Sequence, residues 1–249
     1  MTLITRRNAL IAGAGLMASA CDRVTQSPAV RKILTLGEKA TLSGQRLVTD
    51  RNALAPEFTR ADLSPRFRVN GNRLPAAPAY TAHMANGFAD WRLEVGGLVA
   101  RPLSLSLAQL RAGPQRTQIT RHDCVEGWSA IGEWTGTPLG PLLRYAGISS
   151  KAQYIVFHCA DDFSGFPYYE SIDMVDALHP QTILAHTMNR QPLSVPHGAP
   201  VRLRVERQLG YKQAKYVMKI EAVKTLVGLH GGKGGYWEDH SGYQWYAGI

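Results

Sequence analysis

Arg121-His122-Asp123-Cys124-Val125-Glu126-Gly127-Trp128-Ser129 places one of only three cysteines in the 249-residue chain among basic and aromatic neighbours. Cysteines that bind metals or attack substrates do so as thiolates, and thiolates need positive charge nearby. Arg121 and His122 supply it, whereas an inert core cysteine sits more often among aliphatic side chains. Cys124 is therefore a candidate metal ligand or reactive group, with a small core cysteine as the alternative. Cys21 and Cys159 add no regular spacing that would mark a disulfide scaffold, and a Cys124–Cys159 bridge stays open at this level.

Outward from this segment the chain reads as strands separated by irregular stretches. Trp91-Arg92-Leu93-Glu94-Val95 alternates and stops at Gly96-Gly97, as a half-buried strand followed by a turn would. Tyr154 to Cys159 is β-branched and aromatic, Val201 to Val205 alternates, and Tyr216 to Ile220 repeats the pattern. Ser106-Leu107-Ala108-Gln109 has the form of a capping box and predicts a short helix closed by Gly113-Pro114, and Ser171 to Leu178 has a short helical pattern. Strands mixed irregularly with short helices predict a strand-rich, mixed α+β fold rather than regular βαβ winding. Residues from about Asp22 to Pro78 hold Pro56, Pro65, Pro75 and Pro78 and little periodicity, so an extended wrap around the core is expected there.

The first twenty residues read as an export address. Arg6-Arg7 precedes the apolar, uncharged run Ile11 to Ala20, which is too short to span a membrane and ends in the cleavable pattern Ala18-Ser19-Ala20. This predicts a twin-arginine signal over residues 1–20, with an ordinary secretory signal as the alternative, and a mature chain in the periplasm. Cys21 follows the cut, so a lipid anchor there and plain cleavage both remain open. Residues 21–249 are expected to form one domain.

The formal net charge is +9, and removing the leader takes away only two arginines. Lysines and arginines are scattered, with no run of five, which fits an anionic ligand or substrate better than nucleic acid. Glycine patterns of dinucleotide and nucleotide-triphosphate sites, a His-Glu-x-x-His pair and a Cys-x-x-Cys-His haem motif are all missing from the sequence. Two later clusters suit an anion: His197-Gly198-Ala199-Pro200-Val201-Arg202 and Gly210-Tyr211-Lys212-Gln213-Ala214-Lys215. Backbone N–H groups beside lysine or arginine hold phosphate through charge-assisted hydrogen bonds. Solvated turns with surface lysines are the alternative.

Cys124 to Ser129, Leu178-His179-Pro180-Gln181-Thr182, Gly198 to Leu203 and Gly210 to Lys215, in this order and spacing, resemble the sulfite-oxidase-fold molybdenum enzymes, within them the branch of the periplasmic methionine sulfoxide reductase catalytic subunit. The resemblance covers most of the mature chain. It implies a molybdenum–molybdopterin cofactor with Cys124 as the protein's ligand to the metal, and soft thiolate chemistry agrees. It further implies cofactor contacts at His197, Arg202, Gln213, Ala214 and Lys215. Cys159 falls where the reductase branch has a threonine touching the cofactor. In the stretch Tyr80 to Gly87, where the reductase has paired asparagines, His83 and then Asn86 are the implied polar ligands. Arg121 is a candidate to orient substrate oxygen or cofactor, a salt bridge to Asp123 or Glu126 being the alternative. The implied activity is two-electron oxygen-atom transfer, the reduction of an S-oxide or related substrate, with oxidation of the oxo-anion sulfite in the same fold as the alternative. Electrons would come from a separate redox protein, such as a membrane b-type cytochrome, since this chain has no haem motif. A cysteine nucleophile with His122 as base, and a non-catalytic module, are the rival readings.

Overall fold

The computed structural model describes residues 27–249, so the leader and Cys21 lie outside the described residues. The chain divides into two compact units, residues 1–50 and 51–249.

In the first unit the described residues form a helix where the sequence suggested an extended wrap. Helix α1 spans Pro28–Val48, with Pro28 in its first turn and the Ser27 hydroxyl accepting from Val30 N at 3.2 Å. Proline at that position and a serine cap are favourable starts. The prolines that suggested extension all fall at residue 56 or later, and the segment before them is rich in Ala, Leu, Lys, Arg and Gln, which are good helix formers. Among the described residues, no helix is long and apolar enough to cross a membrane.

The second unit is a strand-rich, mixed α+β fold. Helix α2 (Pro78–Ala85) leads into β1 (Arg92–Gly97), β2 (Leu103–Ser106) and α3 (Leu107–Ala112). A long hairpin follows, β3 (Arg116–Cys124) and β4 (Trp128–Pro138), then α4 (Leu139–Tyr145), β5 (Tyr154–Phe163), β6 (Phe166–Asp173) and α5 (Met174–Ala177). The remaining elements are β7 (Ile183–Met188), β8 (Gln191–Pro192), β9 (Arg202–Arg204), β10 (Val217–Val223) and α6 (Tyr236–Ser241). One sheet runs β2-β1-β10-β5-β6, with β1 and β10 parallel and its other neighbours antiparallel. The other runs β3-β4-β7-β8, with β9 also paired to β7.

The expected strands and the capping box at Ser106 and Gln109 are in place, both reciprocal bonds included. The helical pattern at Ser171 to Leu178 is realised only from Met174, because Ser171 to Asp173 still pair with β5 and Asp173 caps α5. The main core holds Leu93, Val95, Phe157, Ile220, Leu184 and Leu203. Phe67, Trp134, Ile183 and Ala185 form a second cluster. Alternate residues of β7 thus serve opposite faces, so the second sheet is buried on both sides. Residues 51–77 run irregularly over it, held by Gln181, whose side chain bonds Ala55 N at 2.8 Å and Ala55 O at 3.0 Å. This packing fixes the hairpin whose tip carries Cys124.

Candidate active site

Burial alternates along β3: Gln118, Thr120, His122 and Cys124 face inward, and Arg121 lies on the other face. Cys124 is 9% exposed and ends the strand. A tight turn follows, in which Gly127 N donates to Cys124 O at 3.0 Å. Gly127 has φ +83°, a conformation that side chains with a Cβ resist. The Val-Glu-Gly sequence after the cysteine therefore ends the strand and leaves the thiol at the edge of a cavity of about 180 Å³. Both Cys124 and Cys159 are free thiols, which removes the disulfide alternative. Burial pushes the Cys124 thiol above its usual range, while Arg202 favours the thiolate.

Opposite and around the thiol, Asn70, Asn72, Asp161, Gln213, Lys215 and Trp237 line the cavity. Lys215 is almost completely buried, and its ammonium donates to Asn72 O and to Pro196 O, the latter at 2.9 Å. Burial, with Arg202 second, lowers its pKa to about 7. Arg202 is fully buried behind it, donates to His197 O at 3.0 Å and Gln213 O at 3.2 Å, and lies 5.2 Å from the Trp134 ring centroid. Its Nε has no partner, and burial brings its pKa down to about 9. Arg204 by contrast has Glu206 at 2.5 Å.

Gly210 closes the cavity beside His122: a Cβ there would stand 2.5 Å from His122 Nε2. Both Arg204, at 3.0 Å and able only to donate, and Gln213 Oε1, at 3.3 Å, face His122 Nδ1; the closer Arg204 contact favours that nitrogen as acceptor and the proton on Nε2. Nε2 has no protein partner. Burial, then the charges of Arg204 and Arg202, hold the imidazole neutral, its pKa well below the usual value. Among the described contacts none joins His122 to Cys124 as a base to a nucleophile. The cysteine-nucleophile reading therefore lacks the geometry it needs.

The expected site residues divide accordingly. Cys124, Gln213 and Lys215 line the cavity, and Arg202 and His197 stand behind it, His197 Nε2 being 3.3 Å from Phe67 O. Ala214 is packed in the core, and its carbonyl accepts from Leu203 N at 2.8 Å. Cys159 packs against the main core rather than on the cavity wall, and burial raises its thiol pKa strongly. Arg121 is not at the cavity: it is solvent-exposed and its Nε bonds Asp123 at 3.0 Å, because residues three apart on a strand face opposite sides. His83 and Asn86 are also elsewhere. His83 Nδ1 bonds Asp90 at 2.7 Å, and Asn86 caps α2 and accepts from Ala89 N.

Asn70-Gly71-Asn72, inside the irregular stretch, put polar groups on the cavity wall, whereas α2 contributes none to it. The signal was a turn-forming Asn-Gly-Asn between two prolines, Pro65 and Pro75. Asp161 was also missed as a wall residue, while Trp237 and Tyr243 of the aromatic C-terminal segment line the wall as well. Lys212 is no surface lysine: it is fully buried between Glu170 at 2.5 Å and Glu238 at 2.6 Å.

A strand-rich fold with a thiol beside a cavity backed by buried cations defines a site for an anionic, metal-bearing ligand. The chain belongs to the oxidoreductase molybdopterin binding domain family, whose model matches residues 80–227. It is 46% identical over 160 residues to a chain of Azospira oryzae that carries the provisional name protein-methionine-sulfoxide reductase subunit YedZ1, covering 64% of this chain and 56% of that one. It is 30% identical over 233 residues to the protein-methionine-sulfoxide reductase catalytic subunit MsrP of Campylobacter jejuni, covering 88% and 73%. Among solved structures it is similar to the sulfane dehydrogenase SoxCD of Paracoccus pantotrophus, with TM-score 0.51 and 25% identity over 55% of this chain and 39% of that one. This chain thus spans little more than half the length of the first of these relatives.

The residues present fit the molybdenum–molybdopterin group that the family binds. Arg202 and Lys215 are buried cations with no carboxylate in salt-bridge range among the described residues. Buried, unpaired positive charge is costly and is relieved by an anion. The unpartnered donors Arg202 Nε and His122 Nε2 point the same way. A single soft thiol on the wall suits a metal whose remaining sulfur ligands come with the pterin.

Proposed function

We propose that this chain is a periplasmic molybdenum-pterin oxidoreductase that reduces S-oxides by two-electron oxygen-atom transfer. The observation that carries the reading is the Cys124 thiol on a cavity wall whose buried cations, Arg202 and Lys215, have no carboxylate in salt-bridge range among the described residues. The names of the relatives, protein-methionine-sulfoxide reductase subunits, support the substrate class. The bound group supplies the redox chemistry, a metal able to exchange an oxygen atom and two electrons with a sulfur centre.

The chain's own residues do the rest. Cys124 would hold the metal as a thiolate, the form that burial disfavours and the Arg202 charge favours. Lys215, Gln213 and Arg202 would hold the anionic part of the cofactor from fixed positions in and behind the wall. Trp237 and Tyr243, stacked with ring centroids 5.8 Å apart, form an apolar side of the cavity that accepts the carbon substituents of a thioether S-oxide. A membrane b-type cytochrome is the proposed electron donor, and the leader Arg6-Arg7 with its apolar run supports twin-arginine export to the periplasm.

The test is an anaerobic assay with methionine sulfoxide and a reduced viologen dye, run beside one with sulfite and an electron acceptor. Sulfoxide-dependent dye oxidation is expected. Turnover with sulfite alone would overturn the direction proposed here.

A further inference from the structure

Reducing an S-oxide requires more of the cavity than a metal and a fit. The S–O bond breaks, two electrons from the reduced haem-protein donor go to sulfur, and the oxygen takes up two protons to leave as water. We propose that Asp161 of β5 is the group that delivers one of those protons to the substrate oxygen; this rests on the sulfoxide-reductase reading above.

The geometry singles out Asp161. It lines the same cavity as Cys124 and is 4% exposed. Its Oδ2 lies 3.3 Å from the Asn72 amide, which donates to it, and its Oδ1 has no hydrogen-bond partner among the described residues. A buried polar atom without a partner is rare and calls for a ligand. Of the other titratable groups on the wall, Glu126 and Tyr243 are solvent-exposed, and the buried ones have their protons engaged. Tyr168 donates to Tyr211 O at 2.8 Å, and Tyr211 donates to Gln244 O at 2.7 Å. Lys215 gives its protons to the Asn72 and Pro196 carbonyls, and Glu126 accepts from the Trp128 indole at 2.9 Å.

Asp161 also carries a proton in the right range. Burial raises its pKa to about 6, against the opposing Asn72 hydrogen bond and the Lys215 charge, with neighbouring Asp162 adding a smaller upward push. The phenols of Tyr80, Tyr168 and Tyr216 and the thiol of Cys159 face the same carboxyl, and its charge raises the pKa of each. All four stay neutral near pH 7, so Lys215 and Asp162 are the charged groups that tune it. After each transfer Asp161 regains its proton from water at the cavity mouth, and water supplies the second proton directly.

The experiment compares the cofactor-loaded wild type with Asp161→Asn and Asp161→Glu, using methyl sulfoxides and a reduced viologen. In the wild type the acid form is the competent one, so kcat/KM falls about tenfold per pH unit above about pH 6. Asp161→Asn is expected to lose about a hundredfold in kcat and to lose that pH limb, the size typical of a missing general acid. KM, molybdenum content and pterin content should stay near wild type, and Asp161→Glu should recover part of the rate. A second readout does not depend on turnover: infrared spectra of the loaded wild type should show a protonated-carboxyl band that disappears between pH 5 and 8 and is missing in Asp161→Asn. An active wild type beside an Asp161→Asn variant with the same rate and the same pH limb would overturn the proposal alone. A loaded wild type that reduces no sulfoxide would overturn the functional reading as well.

Discussion

Replacing Lys212 by methionine is the sharpest test of how the wall is held. Lys212 comes from the 210–215 loop, while its partners come from β6 (Glu170 at 2.5 Å) and α6 (Glu238 at 2.6 Å), and none of the three side chains is more than 1% exposed. The cluster therefore ties the loop that bears Gln213 and Lys215 to the helix that bears Trp237. Burial, then the Glu238 charge, pushes the Glu170 carboxyl well above its usual range, and the Lys212 charge opposes them and supports a carboxylate there. Methionine keeps the bulk but leaves that carboxylate buried and unpaired, a change worth about 3–5 kcal/mol. For a domain of this size each kcal/mol moves the melting point by roughly 2–4 °C, so a fall of about 6–20 °C is expected in calorimetry at neutral pH. In the variant Glu170 loses the charge that favours its ionised form, and a raised carboxyl costs more as pH rises through its folded pKa. The deficit should therefore widen as pH rises. Converting Glu170 and Glu238 to glutamine in the same chain should recover most of the loss. A single variant that melts within about 3 °C of wild type at every pH would refute the reasoning.

Three further outcomes follow from the site. Gly210→Ala would drive a methyl to 2.5 Å from His122 Nε2, on a ring held by Arg204, and is expected to cost about 1–3 kcal/mol and to lower cofactor content, measured by melting and metal analysis. Arg121→Ala removes only a surface pair with Asp123, so kcat/KM should stay within about threefold of wild type; a large loss would return Arg121 to the reaction. Asp161→Asn should raise stability above pH 6, where the wild type carries a buried carboxylate whose pKa has moved from 3.8 to about 6. The shift corresponds to about 3 kcal/mol at pH 8 and less at pH 5, read from melting curves at the two pH values.

Much of the fold was legible because strand alternation is a local property. The strands at Leu93, Phe157, Leu203 and Ile220 could be located from their own residues, and Cys124 from its neighbours in sequence. What could not be read was which face a side chain takes once a register is set. Arg121 and Cys124 are three residues apart, and only the pairing of β3 with β4 decides that one meets solvent and the other the cavity. The Asn70 and Asn72 contributions were hidden for another reason: irregular backbone has no period, so nothing local announces which loop residues reach a distant cavity. Helix α1 escaped notice because prolines from residue 56 onward coloured the reading of a segment that contains none between Pro28 and Pro56. Lys212 and Lys215 look alike in sequence, yet one balances buried acids and the other faces a cavity. That difference comes from Glu170 and Glu238, which lie far from either lysine along the chain.

The central claim is that the sulfur of Cys124 anchors the metal, and turnover of the cofactor-loaded Cys124→Ser variant tests it most directly. A serine hydroxyl fills nearly the same space without soft-ligand character, so the variant should fold and melt like wild type while its sulfoxide turnover falls to background. A folded Cys124→Ser protein that turns over at the wild-type rate would contradict the account.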